Sequence, residues 1–178
     1  LRYMRGYKNV INECIRRNEA GEVSPLAIET SGHGALSENY YLDDGAYLAV
    51  KLIIAAAKAR AEDRTLDDLI AALRQPAEAR EIRIKIMGVD DARAYGKEVL
   101  AAFEERAKAK GLTIAEPSYE GVRIVFAGGW ALLRMSLHDP NMPLNIEADA
   151  AGGADEIERT VKELIAGFDA LDLSGFQN

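Results

Sequence analysis

The sequence is poor in the residues that build disulfide frameworks, membrane anchors and nucleic-acid-binding surfaces. Its 178 residues include one cysteine, Cys14, which excludes an intramolecular disulfide and a cysteine-ligated metal cluster and fits a reducing compartment. Basic residues number 22 against 29 acidic ones, and the net charge of −7 argues against a nucleic-acid partner, because phosphate backbones attract basic surfaces. The longest apolar run, residues 46–57, contains Lys51 and is shorter than the roughly 20 residues that a membrane-spanning helix needs. We therefore expect a cytoplasmic protein without a nucleic-acid or membrane partner.

Residues 1–77 contain the pattern of an α/β layer with little sheet. The apolar run is predicted to be a helix buried around most of its circumference, because its polar positions form one narrow stripe, Lys51, Lys58 and Glu62. Asp43 or Asp44 is expected to cap this helix. The other predicted elements are a helix at 7–17, a short buried strand at 25–28, a loop at 30–39, and a helix after Thr65 with Asp68 in an imperfect capping box. We interpret this half as the C-terminal part of an α/β domain.

Residues 78–178 follow a different pattern, which begins after a break near Gln75-Pro76. Alternating apolar residues predict strands at 82–86, 122–126, 130–136 and 144–148, with Gly128-Gly129 as a two-residue hairpin turn. Helices are predicted at 90–110, closed by Gly111, and at 157–168. The order β-α-β-β-β-α predicts an α+β domain with a four-stranded antiparallel sheet and helices on one face.

A polar loop at residues 29–33 is the first candidate site. It follows a predicted buried strand, and ligands collect at the carboxyl ends of strands in α/β folds. Glu29 offers two acceptors suited to adjacent sugar hydroxyls, and Ser31 and His33 add donor and acceptor groups. Gly32 permits a sharp turn or a close approach to a ligand. A polar loop that only caps a helix is an equally good interpretation of this spacing.

The second candidate site lies at residues 134–138. Arg134 and Ser136 are two residues apart on a predicted strand, so their side chains share a face. A guanidinium and a hydroxyl beside the loop amides of Leu137 and His138 would form a phosphate cradle. The alternative is an arginine that pairs with a surface carboxylate.

Together these segments resemble the phosphohexomutases, the phosphoglucomutase/phosphomannomutase family. Ile28-Glu29-Thr30-Ser31-Gly32-His33 followed by Asp43-Asp44-Gly45 is similar to that family's sugar-binding loop, in which Glu-x-Ser-Gly-His precedes an Asp-Gly helix start. About a hundred residues later, the segment from Gly129-Trp130 through Arg134-x-Ser136 to Glu147-Ala148 resembles the family's C-terminal phosphate-binding strand and loop. The resemblance covers the whole chain and implies the end of the third domain (1–77) and the fourth domain (78–178).

The resemblance implies an intramolecular phosphotransferase that interconverts hexose 1-phosphate and hexose 6-phosphate through a bisphosphate intermediate. Its substrate would be a phosphosugar, and its cofactors Mg²⁺ and a hexose 1,6-bisphosphate activator. Sugar hydroxyls would be bound by Glu29, Ser31, Gly32 and His33, and the non-transferred phosphate by Arg134, Ser136, Leu137 and His138.

The family's phosphoserine loop and Asp-rich metal loop have no counterpart in this sequence. The resemblance places them in N-terminal domains of the same polypeptide, so we expect no catalytic residue, no metal ligand and no activity in this chain alone. Because the chain begins at Leu1 and not at Met, we expect it to be part of a longer polypeptide.

One segment departs from the family pattern, one further residue is a ligand candidate, and two other functions remain open. Many members have Asn-Thr-Thr-Pro where this chain has Leu137-His138-Asp139-Pro140, and Asp139 is expected to point away from a phosphate or to pair with a cation. Arg5 is a weaker ligand candidate, because the family often has a basic residue before a glycine at that place. The alternatives are a non-catalytic phosphosugar-binding module and a regulatory or interaction domain.

Overall fold

The computed structural model describes residues 1–136 and 139–176. The chain forms two compact units, Leu1–Arg74 and Gln75–Asn178, and the division falls beside Pro76. Among the described residues, no helix is both long enough and apolar enough to cross a membrane.

The first unit combines three helices with a small hairpin. Its elements are α1 (Tyr7–Glu19), β1 (Leu26–Ile28), β2 (Gly34–Leu36), a 3₁₀ helix (Ser37–Asn39), α2 (Gly45–Ala61) and α3 (Leu66–Ile70). Strands β1 and β2 pair antiparallel, with Ile28 opposite Gly34. The prediction of a loop at 30–39 is therefore wrong for β2, because three residues that include a glycine are too few to show an alternating pattern.

Two side chains begin the later helices of this unit. Asp44 caps α2, since its Oδ1 accepts a hydrogen bond of 2.9 Å from the amide of Tyr47. Thr65 and Asp68 form the reciprocal capping box before α3, with the Asp68 carboxylate accepting from the Thr65 amide at 2.6 Å. Both caps agree with the sequence pattern, and Asp43 is left for another contact.

Helix α2 is far more exposed than its sequence predicts. Among its residues only Ala59 is buried, while Leu52 and Ile53 are 59% and 67% exposed. The prediction of a helix buried on most of its circumference is therefore wrong for this structure. The physical reason is that the first unit offers α2 a sheet of two short strands, which covers only one side of the helix.

The second unit is an antiparallel sheet with two long helices. Its elements are β3 (Glu78–Ile86), α4 (Ala92–Ala109), β4 (Thr113–Ile114), β5 (Val122–Phe126), β6 (Gly129–Leu133), β7 (Asn141–Ala148), α5 (Gly153–Leu164) and β8 (Leu171–Asp172). The strand order is β4-β5-β6-β7-β3-β8, so the described residues form a six-stranded sheet and not the predicted four-stranded one. The four long strands occur in the predicted order, and the two additional edge strands are only two residues long, too short to show a period-two pattern.

One face of this sheet and both helices share a core. Ile82, Ile84 and Ile86 of β3 are buried in it together with Phe103 of α4 and Val161 of α5. The intervening residues of β3, 81, 83 and 85, are exposed on the opposite face. The predicted alternation along β3 therefore decides which side of the sheet the helices cover.

The hairpin between β5 and β6 turns one residue earlier than predicted. Phe126 pairs with Gly129, so Ala127-Gly128 forms the turn and Gly129 is the first residue of β6. A Cβ at Gly129 would lie 2.3 Å from the carbonyl oxygen of Glu147, which explains the glycine at that strand position.

Candidate functional site

The first candidate site is the turn of the β1–β2 hairpin. The amide of Glu29 donates to the carbonyl of His33 at 2.9 Å, and the amide of Gly32 donates to the carbonyl of Glu29 at 3.0 Å. Gly32 has φ +95°, a conformation that favours glycine. Ser31 and His33 are exposed, so the closed turn presents polar side chains to solvent.

The two carboxylate oxygens of Glu29 have different partners. Oε1 accepts from the amide of Gly6 at 2.6 Å, and Oε2 lies 3.5 Å from the hydroxyl of Ser31. The first contact is structural, because it ties the segment before α1 to the turn. The second places a charged acceptor beside a hydroxyl on the solvent side, an arrangement that can bind a hydroxyl group of a ligand.

His33 is held from two sides. Its Nδ1 lies 2.6 Å from Oδ2 of Asp43, whose Oδ1 accepts from the amide of Gly34 at 3.0 Å. Its ring stacks on that of Tyr7, with centroids 5.1 Å apart. Because a carboxylate oxygen accepts hydrogen bonds, Nδ1 of His33 is the donor in this contact. The side chain remains 50% exposed, so the orientation of the ring is fixed while ligands can still reach it.

The sequence does not predict the contacts that Gly6, Tyr7 and Asp43 make in this arrangement. The sequence pattern marks Asp43 as a possible helix cap and as part of the family's Asp-Gly helix start, and it gives Gly6 and Tyr7 no ligand role. The 10-residue separation of His33 and Asp43 becomes a contact through the hairpin and the isolated bridge between Ala35 and Asp43. No periodic pattern in the sequence predicts such a contact. Arg5 is exposed and lies next in the chain to Gly6, the residue that binds Glu29.

The second candidate site lies where β6 ends. The strand stops at Leu133, three residues earlier than predicted. The amide of Arg134 still donates to the carbonyl of Pro143 at 3.2 Å, and that of Ser136 to the carbonyl of Asn141 at 2.9 Å, in the register of the β6–β7 pairing. Proline has no amide to return the first of these bonds, which explains why regular pairing ends at this point. Bonds at alternate residues direct the side chains of Arg134 and Ser136 to the same side of the chain.

The surroundings of Arg134 are polar and closely packed. The side chain is half-buried, and its Nη1 lies 3.5 Å from the carbonyl of Met135. The pKa of the Glu81 carboxyl is lowered by hydrogen bonds from Arg83 and Asn145, and also by the charge of Arg134. This places a carboxylate within electrostatic reach of Arg134, in line with the alternative that the sequence left open.

Gly121 packs against the main chain at this position. A Cβ there would lie 2.2 Å from the carbonyl oxygen of Leu133 and 2.7 Å from the Cα of Arg134, and its φ is +72°. Any larger residue would displace the start of the second site, so the glycine contributes to the position of Arg134.

The hydroxyl of Ser136 has a main-chain partner three residues along the chain. It accepts from the amide of Asp139 at 3.2 Å, and Asp139 is exposed. The predicted phosphate ligands Leu137 and His138 lie outside the described residues. Within residues 1–136 and 139–176, no group of three or more His, Cys, Asp or Glu side chains is placed to hold a metal ion.

Comparisons with known proteins link the chain to one family. No family model matches it. A phosphomannomutase/phosphoglucomutase from Pseudomonas putida is 32% identical over 128 residues, which are 71% of this chain and 26% of that protein. A phosphoglucomutase from Neisseria gonorrhoeae is 26% identical over 141 residues, 79% of this chain and 29% of that protein.

A solved structure shares the fold. A phosphoglucomutase/phosphomannomutase family protein from Burkholderia thailandensis superposes with a TM-score of 0.66 and covers 93% of this chain at 22% identity. The chain covers 32% of that structure, so it spans about a quarter to a third of the length of these relatives. Over the residues that the matches cover, the chain belongs to the phosphomannomutase/phosphoglucomutase family.

Proposed function

We propose that this chain is the C-terminal part of a phosphosugar mutase that interconverts hexose 1-phosphate and hexose 6-phosphate through a bisphosphate intermediate. In this proposal residues 1–77 bind sugar hydroxyls and residues 78–178 bind the phosphate that is not transferred. The observation that carries the proposal is the turn at 29–33. It combines a charged acceptor beside the Ser31 hydroxyl with a histidine whose ring orientation is fixed by Asp43 and Tyr7.

The turn suits a ligand that presents several adjacent hydroxyl groups. Oε2 of Glu29 can accept from one hydroxyl, and Ser31 and His33 can accept from or donate to its neighbours. The space beside Gly32 is free for a ligand, since nothing lies within 4 Å of a Cβ added there. The sugar ring of a bisphosphate intermediate must bind in two orientations. Side chains that can hydrogen-bond different hydroxyl groups suit both orientations better than a tight pocket fitted to one of them.

Arg134 and Ser136 are the proposed phosphate ligands in the second unit, together with Leu137 and His138. A guanidinium can place two parallel N–H groups against two phosphate oxygens. The close approach of Gly121 fixes the main chain of Arg134, which favours a defined position for that group. In phosphoryl transfer, positioning and electrostatics carry most of the catalysis, so a ligand to the remote phosphate would affect rate as well as affinity.

The reacting groups would lie in other domains of the polypeptide. We propose that the phosphoserine donor and the ligands for Mg²⁺ belong to N-terminal domains, and that a hexose 1,6-bisphosphate activates the enzyme. Bound Mg²⁺ would neutralise charge on the phosphoryl group in transfer. The role of this chain is to bind and orient the sugar and its second phosphate.

A turnover assay tests the proposal. The longer polypeptide should convert glucose 1-phosphate or mannose 1-phosphate to the 6-phosphate in a coupled assay with Mg²⁺ and a hexose 1,6-bisphosphate. The purified 178-residue chain should show no turnover, because positioning residues cannot replace a missing phosphoryl donor. Turnover by the chain alone would contradict the proposal. Phosphosugar binding by the longer polypeptide without any turnover would support the alternative, a non-catalytic binding module.

A further inference from the structure

The face of the second unit's sheet that lies opposite α4 and α5 carries polar side chains in rows across the strands. Glu81 of β3 pairs with Asn145 of β7, and Asn145 pairs with Leu132 of β6. Paired residues share a face, and Glu81 is exposed while its neighbour Ile82 is buried in the core. This row therefore lies on the same side as Arg134, which is two residues beyond Leu132.

The Glu81 carboxylate contacts several side chains of this face. Its Oε1 accepts from Nε of Arg83 at 2.9 Å, and its Oε2 accepts from Nδ2 of Asn145 at 3.2 Å. Hydrogen bonds from Arg83 and Asn145 lower the pKa of this carboxyl, and the charge of Arg134 lowers it further. One carboxylate therefore faces two guanidinium groups and cannot neutralise both, so this face keeps a positive charge that an anion can bind.

The side-chain amide of Asn145 is held in one orientation by Glu81. Because Nδ2 donates to the carboxylate, the carbonyl oxygen Oδ1 points to the other side of the amide group. Oδ1 is buried, and within residues 1–136 and 139–176 it has no hydrogen-bond partner. Buried polar atoms are nearly always hydrogen-bonded, so an acceptor of this kind needs a functional or structural explanation.

Arg134 is placed to supply a donor to this oxygen. Its amide bonds to the carbonyl of Pro143, so Arg134 is opposite Pro143 and diagonal to Asn145 across β6 and β7. Diagonal neighbours in an antiparallel sheet lie about 7–8 Å apart, which is within reach of a long side chain. The Nε atom of Arg134 is also buried. The fold therefore brings a buried N–H donor and a buried oxygen acceptor to the same part of the sheet.

We propose that Asn145 is a positioning residue for the phosphate site, and that its Oδ1 accepts from the Nε–H group of Arg134 when a phosphate is bound. This bond leaves both terminal amino groups of the guanidinium to bind two phosphate oxygens. Glu81 acts through Asn145, because it holds the amide in the orientation that presents Oδ1. The inference rests on the part of the proposed function that makes Arg134 a phosphate ligand.

A double-mutant cycle on the longer polypeptide tests this inference. Asn145→Leu nearly keeps the shape of the side chain and removes both of its hydrogen-bonding groups. It should lower kcat/KM for glucose 1-phosphate about tenfold, the lower end for a hydrogen bond from a charged donor. In the Arg134→Ala background the same change should alter kcat/KM less than about twofold, because no guanidinium remains to be positioned. An equal loss in both backgrounds would overturn the inference, since a purely structural role would not depend on Arg134.

Glu147→Leu is the matched control on the same strand and the same face. Glu147 accepts from the indole N–H of Trp130 at 2.9 Å, so this change also removes a side-chain bond between β7 and β6. Glu147 lies one row further from Arg134 than Asn145 does. Its effect on kcat/KM should therefore be the same with and without Arg134→Ala. If Glu147→Leu depended on Arg134 as strongly as Asn145→Leu does, the specific role of Asn145 would be refuted.

Solvent exchange of the Arg134 Nε–H group is the second measurement, made by NMR on the 178-residue chain with saturating inorganic phosphate. The signal is assigned by its loss in Arg134→Ala. Exchange should be about tenfold faster in Asn145→Leu than in wild type, because the Nε–H group loses its acceptor. Equal exchange in the two proteins would overturn the inference. Where Asn145→Leu prevents folding, Asn145→Ala gives the same comparison.

The two measurements separate this inference from the proposed function. Exchange that depends on Asn145, combined with a longer polypeptide that has no mutase turnover, would refute the proposed chemistry and support the inference. Turnover that falls with Arg134→Ala but is unaffected by Asn145→Leu would support the proposed function and overturn the inference. A wild-type Arg134 signal that phosphate does not move would overturn both the phosphate site and the role of Asn145.

Discussion

Removal of the Arg80 side chain should destabilise the second unit more than loss of an exposed ion pair from the same strand. Nη1 of Arg80 lies 2.9 Å from Oε2 of Glu158, and its Nη2 lies 2.6 Å from Oδ1 of Asp155. The Glu158 side chain is 4% exposed, and that of Arg80 is 22% exposed. Arg80→Ala would therefore leave a carboxylate on α5 buried without its main counter-charge.

The expected loss follows from this burial. Removal of one partner from a buried ion pair costs about 3–5 kcal/mol. Since Arg80 is still partly exposed to solvent, we expect the lower end, about 3 kcal/mol, from Arg80→Ala. Arg83 is the matched control on the same strand: it bonds to Glu81 at 2.9 Å, but its side chain is 69% exposed. Exposed pairs contribute about 0–1 kcal/mol, so Arg83→Ala should lose no more than that.

Urea denaturation followed by tryptophan fluorescence measures both variants. Trp130 is the single tryptophan and lies in β6, where Arg123 stacks over its ring and Glu147 accepts from its indole N–H. Its emission therefore reports unfolding of the second unit. A loss below about 1 kcal/mol for Arg80→Ala, or an equal loss for the Arg83 control, would refute the argument from burial.

Three further predictions concern the candidate sites and pH. In the longer polypeptide, Ser31→Ala should lower kcat/KM about twofold to tenfold with little change in Tm. Glu29→Ala should lower kcat/KM about tenfold to a hundredfold and also lower Tm, because it removes the acceptor for the amide of Gly6 before α1. An unchanged Tm for Glu29→Ala would contradict the structural contact. Arg134→Lys should lower kcat/KM nearly as much as Arg134→Ala, because lysine cannot match two phosphate oxygens in parallel, and wild-type kinetics in either variant would remove this residue from the site. The pKa of Glu78 is lowered by hydrogen bonds from two amides at the start of α5. The ionised carboxylate therefore stabilises the folded protein above the pKa that Glu78 has in the unfolded chain, and this stabilisation is lost as the pH falls through the lower pKa of the folded state. Urea titrations at pH 7 and pH 3 should therefore show a smaller acid-induced loss of stability for Glu78→Gln than for wild type, and an equal loss would refute this assignment.

The long elements of the second unit were predictable because their patterns are strong. Alternation at Ile82, Ile84 and Ile86 fixes the buried face of β3, and Val99 and Phe103 fix that of α4. The prediction failed where elements are short: β4 and β8 pair through two residues each, and no periodicity is visible at that length. The extra strands therefore come from tertiary pairing with longer neighbours.

The candidate site could be predicted as a location but not as a set of contacts. The residue types at 29–33 mark a polar turn, yet the sequence does not show that Glu29 uses one oxygen to bind Gly6. The stacking of Tyr7 on His33 joins residues 26 positions apart, which only the packing of α1 on the hairpin brings together. Such contacts depend on the fold, so the division of a side chain between structural and ligand-binding roles has to be read from the structure.

The position of Asp43 connects the first candidate site with the start of helix α2. Asp43 orients His33, and the next residue, Asp44, caps α2. In the proposed longer polypeptide, residues that pack on the exposed side of α2 would restrict the motion of its first turn and of the carboxylate before it. A histidine held by a restrained partner loses less conformational entropy when a ligand binds. We therefore expect the longer polypeptide to bind a phosphosugar more tightly than the 178-residue chain even where the additional residues do not touch the sugar. If Asp43→Asn weakened sugar binding equally in both proteins, covering α2 would not affect the site.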